Sequence, residues 1–188
     1  MSITKYDTVA DPKYLDWSKH PITFSRADQW IDIPYPGHFP LVLDPIISNV
    51  WFKKVLIDSG SALNILFAGA LTELGLMKDD IVPVDSPFWG IVPGRASQPL
   101  GRITLPVQFG TADHFCTKYV NFFVADFDTA YHAILGQPAL AKFMVVPHYV
   151  YLVLKIPTKQ GVLTLCANIS IAYNYEREGL AIADAMDP

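Results

Sequence analysis

In VLIDSGSA, residues 55–62, three apolar residues lead directly into Asp58 and small residues follow it. The apolar run is typical of a buried strand, and a carboxylate at the end of such a strand costs free energy to desolvate. Asp58 therefore needs partners that compensate this cost, or it has a chemical role. Gly60 and Ser61 allow other backbone to approach closely, and Ser59 can hydrogen-bond to nearby backbone and fix the loop.

The composition predicts one domain with a sizeable core, because 51% of the 188 residues are apolar and only 17% are charged. A net charge of -4 without a long basic run does not favour nucleic-acid binding. No apolar run is long enough to span a membrane, and the N-terminal segment lacks the apolar region of a secretory signal. Cys116 and Cys166 are expected to be reduced thiols in an intracellular, cytoplasmic protein.

Three regions differ in composition. Residues 1–20 are polar and predict an N-terminal arm or linker, whereas the domain itself is expected to span residues 21–168. Proline and glycine make residues 31–40 a loop. Residues 169–188 are expected to be a C-terminal connector that leads out of the domain.

Short apolar runs rich in β-branched and aromatic residues predict strands from residue 41 onward. The runs are PLVLDPIIS (40–48), VWFKKVLID (50–58), YVNFFVAD (119–126) and YHAILG (131–136), with hairpins over 88–110, turning near Pro93-Gly94, and over 149–168. Apolar residues at helical spacing predict a helix over 62–76, and QPALAKF (137–143) predicts a second, shorter one. Many short strands with one or two short helices predict an all-β domain that closes like a barrel.

Asp58 has three interpretations. Aspartate and serine are common in tight turns and at helix N-caps, which gives a purely structural role. A nucleophilic Ser59 in a nucleophile elbow requires glycine two residues earlier, where Ile57 stands. An acid protease uses two carboxylates that share a proton, one as general base on a water and the other to polarise the scissile carbonyl.

The acid-protease interpretation requires a second aspartate from another chain, because the sequence contains a single D-S-G and no D-T-G. A two-fold axis beside Asp58 would supply it, since an isologous contact pairs a residue with its own copy. This interpretation therefore predicts an obligate homodimer with the active site on the axis. Asp126 and Asp128 lack flanking glycine and small residues, and we interpret them as turn residues.

Four motifs occur in the order found in one known family. They are ITFSRAD (22–28), VLIDSGSALNILF (55–67), GIVPGRASQPLGRITLPVQFG (90–110) and YHAILGQPALAKFMVVPHYVYLVLKIP (131–157). Over roughly residues 20–168 the chain resembles the retropepsins, the aspartic proteases of retroviruses and LTR retrotransposons. It looks most like the protease segment of plant gypsy-type retrotransposon polyproteins. The resemblance implies the acid-protease fold with one lobe per chain, and an aspartic endopeptidase that processes the polyprotein containing it, in the cytoplasm or in virus-like particles.

The resemblance also implies roles for individual residues. Asp58 matches the catalytic aspartate, Ser59 the hydroxyl residue that ties the two active-site loops together, and Gly60 the glycine whose carbonyl faces substrate. The hairpin at residues 92–97 matches the flap that closes over an extended peptide, and the Ile134-Leu135-Gly136 signature matches the strand that supports the loop. The residues expected to contact substrate are Ile65, Val92, Pro93, Gly94 and Ile134.

Two positions depart from the family. Retroviral members usually have an aspartate where Ala62 stands and an arginine where Gln137 stands, and these two normally pair near the dimer interface. Because both are missing, no unpaired buried charge is left behind. The departure keeps open an alternative function, a catalytically inactive retropepsin-like module for dimerisation or binding.

The sequence predicts no metal and no other cofactor. His114, His132 and His148 are dispersed along the chain, and neither C-x-x-C nor H-E-x-x-H occurs. The expected partners are a second copy of the chain and a peptide or polyprotein substrate, with neither nucleic acid nor a membrane.

Overall fold

The computed structural model describes residues 20–167 apart from 34, 86–87, 93–94 and 127, together with residues 169 and 172. For residues 88–92 and 95–97 it describes the path of the backbone. Most of the predicted N-terminal arm and C-terminal connector lies outside these residues, so the predicted domain boundaries stay predictions.

The described residues form thirteen strands and two short α-helices, which confirms the prediction of a mainly β domain. The strands are β1 (Val42–Leu43), β2 (Ile46–Ile47), β3 (Val50–Trp51), β4 (Val55–Ile57), β5 (Ile65–Phe67), β6 (Phe88–Val92), β7 (Arg95–Ser97), β8 (Gly101–Gly110), β9 (Phe115–Ala125), β10 (Ala133–Leu135), β11 (Val146–His148), β12 (Val153–Thr158) and β13 (Gly161–Cys166). The helices are α1 (Gly69–Glu73) and α2 (Gln137–Phe143), and single 3-10 turns lie at Arg26–Asp28 and Lys78–Asp80. None of the described helices is long and apolar enough to cross a membrane.

The largest sheet has eight strands in the order β1-β4-β10-β5-β9-β8-β2-β3 and curls into half a barrel. Strand β10 lies between β4 and β5, parallel to β4 and antiparallel to β5. The end of β4, the end of β10 and the start of β5 therefore meet at one edge of the sheet. The loop of residues 58–64, which joins β4 to β5, must pass around the end of β10 at this edge.

The core forms between this sheet, helix α2 and a three-stranded sheet in the order β11-β12-β13. Every residue of the central strand β12 is buried. Phe143 of α2 packs edge-on against Phe109 of β8, with ring centroids 5.1 Å apart. Burial of each such side chain stabilises the fold by about 1.5–3 kcal/mol. Because β4 and β10 alternate buried and half-buried residues, Val55, Ile57 and Leu135 face this core.

The predicted helix over 62–76 is wrong in its first half. Ile65–Phe67 is strand β5, buried on both faces and paired with β9 and β10, and the helix is confined to Gly69–Glu73. A continuous apolar run buried between two strands produces the same local spacing as an apolar helix face, so periodicity alone cannot separate them.

Two predicted strands are each divided into two. The run 40–48 forms β1 and β2, separated at Asp44-Pro45, and the run 50–58 forms β3 and β4. Strand β1 pairs with β4, whereas β2 pairs with β3 and β8. The predicted connection at Ser48-Asn49 is present as a two-residue hairpin turn, with φ of 47° and 68°.

The predicted long hairpin over 88–110 is also shorter than expected. Strands β6 and β7 pair with each other, whereas β8 leaves them and pairs along its whole length with β9. Ten consecutive pairs between β8 and β9 make this ladder the longest in the described part of the chain. The predicted turn at Pro93-Gly94 lies outside the described residues, between the paired strands β6 and β7.

The ITFSRAD motif contacts the three-stranded sheet through an ion pair and a hydrogen bond to Lys155 of β12. Lys155 Nζ donates a hydrogen bond to the Thr23 carbonyl at 2.8 Å and forms an ion pair with Asp28. Trp30 Nε1 donates to the Tyr151 carbonyl at 2.9 Å. This segment, residues 22–30, therefore lies across β12 and the turn that precedes it.

Candidate active site

Asp58 lies directly after β4 with its side chain half-buried. Its backbone N–H donates to the Leu135 carbonyl of β10 at 3.0 Å, and its Oδ1 accepts the Gly60 N–H at 2.8 Å. The loop continues as a turn in which the Ser61 N–H donates to the Asp58 carbonyl at 3.3 Å. The carboxylate thus gains a donor from its own loop, which offsets part of its desolvation cost.

Gly136 touches the far side of this loop. A Cβ at this position would lie 2.2 Å from the Leu63 carbonyl oxygen and 2.6 Å from that of Ser61, so only glycine fits. The adjacent Gln137 N–H donates to the Ser61 carbonyl at 2.8 Å. This close approach agrees with the packing role that the family signature implies for Gly136.

Asn64 is a buried polar residue that the sequence reasoning missed. Its Oδ1 accepts the N–H groups of Gly136 at 3.0 Å and Ala139 at 3.2 Å, and its Nδ2 donates to the Asn121 carbonyl at 3.1 Å. One side chain, 5% exposed, therefore joins the Asp58 loop to the start of α2 and to β9. An asparagine within the apolar run LNILF was the available signal, because buried polar groups need partners.

Tyr149 is a second residue that the sequence reasoning missed. It follows β11, is half-buried, and its hydroxyl reaches the Asp58 loop. The hydroxyl oxygen accepts the Ser59 N–H at 3.2 Å and lies 3.0 Å from Ser59 Oγ and 3.4 Å from the Ile57 carbonyl oxygen. The two residues are 90 positions apart, so no local pattern connects them.

Gln137 and Ala62 are the two positions at which the sequence departs from the charge pair that the retropepsin resemblance leads us to expect. The Gln137 Nε2 donates to the Ser59 carbonyl at 2.9 Å, so a neutral amide holds the loop from the start of α2. Ala62 is exposed at the edge of a cavity of 210 Å³. The other residues that line this cavity are Leu63, Asn64, Val120, Asn121, Phe123, Pro138 and Lys142.

The predicted substrate-contacting residues are only partly described. Ile65 and Ile134 are directly paired across β5 and β10 and belong to a small apolar cluster with Phe67 and Ala125. Ile65 is 2% exposed in the single chain, whereas Ile134 is half-buried. Val92 is placed in β6 opposite Arg95.

Pro93 and Gly94 lie outside the described residues. The structure thus brings Asp58, Ser59 and Gly60 to the same part of the sheet as Ile65 and Ile134. The flap contacts stay a prediction.

The two thiols do not have the properties of activated nucleophiles. Both cysteines are free, and burial raises the pKa of Cys116. Burial, followed by the nearby Asp28 carboxylate, raises the pKa of Cys166. Reactive cysteines have a lowered pKa instead, so the described residues favour no thiol chemistry. Among the described residues, no group of three or more histidine, cysteine, aspartate or glutamate side chains is placed to hold a metal ion.

Comparison with known proteins finds similarity among solved structures only, since no family model and no curated protein matches the sequence. The chain is similar to the retroviral protease-like domain of Ddi1 from Leishmania major, at 23% identity over 69% of this chain and 97% of that one, with a TM-score of 0.49. It is also similar to a retropepsin-like aspartic protease from Rickettsia conorii, at 19% identity over 65% of this chain and 83% of that one, with a TM-score of 0.46. A third similar structure is EIAV protease in complex with the inhibitor HBY-793, at 17% identity over 58% of this chain and 93% of that one, with a TM-score of 0.41.

Proposed function

We propose that the chain is a retropepsin-type aspartic endopeptidase that acts as a homodimer with one Asp58 from each copy. The observation that carries this proposal is the Asp58 loop itself. A half-buried carboxylate follows a core strand, its backbone N–H is bonded to β10, and Ser59 and Gly60 beside it are exposed. Gly136 packs closely against the Ser61 and Leu63 carbonyl groups of the same loop. A second copy of the chain can therefore approach the carboxylate across a two-fold axis.

Two neighbouring carboxylates that share one proton can hydrolyse a peptide without a metal. Like charges this close cannot both ionise, so one Asp58 is a carboxylate and the other a carboxylic acid. The carboxylate takes a proton from a water, whose oxygen attacks the peptide carbonyl, while the acid donates its hydrogen to the carbonyl oxygen. The C–N bond then breaks as the leaving nitrogen takes up the proton that came from water, while one hydroxyl of the tetrahedral intermediate returns its proton to the other Asp58. The products are a carboxylic acid and an amine, and the pair again holds one proton.

The proposed substrate is an extended peptide held between the Asp58 loops and the hairpin of β6 and β7. Backbone hydrogen bonds would give affinity, and apolar pockets formed by Ile65, Val92 and Ile134 would give preference. The order of the sequence motifs supports a polyprotein of a plant gypsy-type retrotransposon as the natural substrate. It also supports the cytoplasm or virus-like particles as the place of action.

One observation favours a second candidate, a retropepsin-like module that dimerises or binds without cleaving. Gln137 and Tyr149 satisfy the polar groups of Ser59 within one chain, so the loop is stable without a catalytic role. The missing charge pair at Ala62 and Gln137 removes a contact that retroviral relatives use near the dimer interface. A peptide-cleavage assay distinguishes the protease from the non-cleaving module.

The test is peptide cleavage between about pH 4 and pH 7 by the intact chain, Asp58→Asn and the matched control Asp126→Asn. Asp126 is exposed after β9 and is not part of the loop. We expect cleavage that is faster at acidic pH, inhibited by a statine-type transition-state mimic, and reduced at least about a hundredfold by Asp58→Asn alone. Equal rates of cleavage by Asp58→Asn and the intact chain would refute an aspartic endopeptidase that uses Asp58. Absence of cleavage by a dimeric chain would support the binding module.

A further inference from the structure

The hydroxyl of Tyr149 contacts three polar groups of the Asp58 loop. It accepts the Ser59 N–H at 3.2 Å and lies within hydrogen-bond distance of Ser59 Oγ and the Ile57 carbonyl oxygen, at 3.0 and 3.4 Å. With one hydrogen of its own, it donates to only one of these two acceptors at a time. A single side chain therefore satisfies the Ser59 N–H and one further polar group of the loop from within the same chain.

The same groups lie where a second copy would approach. Consecutive Cα atoms are about 3.8 Å apart, so a two-fold axis that brings two Asp58 carboxyls together also brings the two Ser59 residues together. The N–H and hydroxyl of Ser59 then face their own counterparts across the axis. In the single chain these groups are already bonded to Tyr149.

We propose that Tyr149 competes with a second copy of this chain for Ser59, so that the dimer forms fully only when the Tyr149 hydroxyl leaves the loop. This inference rests on the proposed function, because it uses the homodimer with Asp58 on its axis. It adds a residue that sets the strength of the dimer and holds the loop of the single chain in place.

The turn that carries Tyr149 is itself well anchored, so only the Tyr149 side chain has to move to release Ser59. The Tyr151 N–H donates to His148 Nδ1 at 3.1 Å, and the two rings stack with centroids 4.1 Å apart. Trp30 fixes the Tyr151 carbonyl from the N-terminal segment at 2.9 Å. Rotation of the Tyr149 side chain to another staggered conformation would free Ser59 while the turn keeps its position.

The substitution Tyr149→Phe removes the hydroxyl and keeps the ring. The single chain loses up to two hydrogen bonds at a time, whereas a dimer in which Tyr149 has already left loses none. A net hydrogen bond changes an equilibrium by roughly a factor of two to ten. We therefore expect the dimer Kd of Tyr149→Phe to be about tenfold lower than that of the parent chain.

The experiment is sedimentation equilibrium of the full chain over a range of concentrations, with Asp58→Asn in every variant to prevent self-cleavage. Tyr149→Phe is compared with the parent and with Tyr151→Phe, which loses a hydroxyl from the same turn. A Kd lowered by Tyr149→Phe alone supports the inference. An unchanged or higher Kd, an equal effect of Tyr151→Phe, or no association of any variant would overturn it.

A second measurement keeps the test independent of the dimer. At concentrations where the chain is monomeric, the Ser59 amide should exchange its hydrogen faster in Tyr149→Phe than in the parent, because it has lost its acceptor. Equal exchange rates would overturn the inference. If cleavage depends on Asp58 but Tyr149→Phe leaves the dimer Kd unchanged, the role of Tyr149 is refuted and the proposed protease activity is not. If Tyr149→Phe lowers the dimer Kd but the chain does not cleave peptides, the protease activity is refuted and the role of Tyr149 is not.

Discussion

A single residue, Gly136, constrains the shape of the Asp58 loop by its close approach to two carbonyl groups. Since a Cβ there would meet two carbonyl oxygens of the loop at 2.2 and 2.6 Å, backbone must shift to admit any side chain. We expect Gly136→Ala to lower the free energy of unfolding by on the order of 3 kcal/mol, as measured by urea denaturation.

Gly69→Ala is the matched control for this substitution. A Cβ on Gly69 meets nothing within 4 Å, and alanine is favoured over glycine in a helix. We expect Gly69→Ala to leave the free energy of unfolding unchanged or to raise it slightly. Similar losses for the two variants would show that the close approach at Gly136 does not constrain the loop.

The grouping of candidate site residues was predictable only where the residues are adjacent in sequence. Asp58, Ser59 and Gly60 stand together after an apolar run, and the pattern itself raises the question of their role. Asn64 and Tyr149 reach their partners across 57 to 92 positions, so their contacts depend on strand pairing that no local pattern encodes.

An ion pair between two elements, strand β12 and the 3-10 turn at Arg26–Asp28, helps to hold the N-terminal segment. Lys155 of β12 and Asp28 have side chains only 10% and 16% exposed, and Lys155 also binds the Thr23 carbonyl. The hydrogen bond from Lys155, followed by that from the Ser25 N–H, lowers the pKa of Asp28 below its ordinary value of 3.8. The pair therefore stabilises the fold above this pH, and the stabilisation is lost as the pH falls through the lowered pKa.

The lowered pKa of Asp28 gives a pH-dependent prediction for Asp28→Asn. The variant should melt at a lower temperature than the intact chain at pH 7, and the difference should shrink as the pH falls below 3.8. Melting temperatures followed by circular dichroism from neutral pH to well below 3.8 provide the measurement. Asp113→Asn, which removes an exposed carboxylate, is the control and should change little. A difference that stays constant with pH would contradict the role of the ion pair.

The presence of strands was predictable from composition, but their order in the sheet was not. Apolar β-branched runs predicted strands where β4, β9, β10 and β12 occur. The insertion of β10 between β4 and β5 follows from contacts between segments far apart in sequence. Ile65–Phe67 shows the limit most clearly, because a buried strand and an apolar helix face share the same spacing there.

At the scale of the whole molecule, the single chain presents one aspartate on a loop whose outer residues are exposed. A second copy would complete the proposed carboxylate pair, and in the single chain Gln137 and Tyr149 hold the loop. The chain would then be inactive when dilute and active when dimeric. Its activity would depend on concentration more steeply than linearly near the dimer Kd.

A shared active site gives a distinct result when intact chains are mixed with Asp58→Asn chains. The intact chain is held at a constant concentration above the dimer Kd, with peptide substrate in large excess, and the cleavage rate is measured as Asp58→Asn is added. At about tenfold excess of Asp58→Asn we expect the rate to fall about tenfold, because most intact chains then have an inactive partner. An equal amount of an unrelated protein should leave the rate unchanged. A rate that Asp58→Asn does not lower would show that one chain cleaves alone and would contradict a site built from two Asp58 residues.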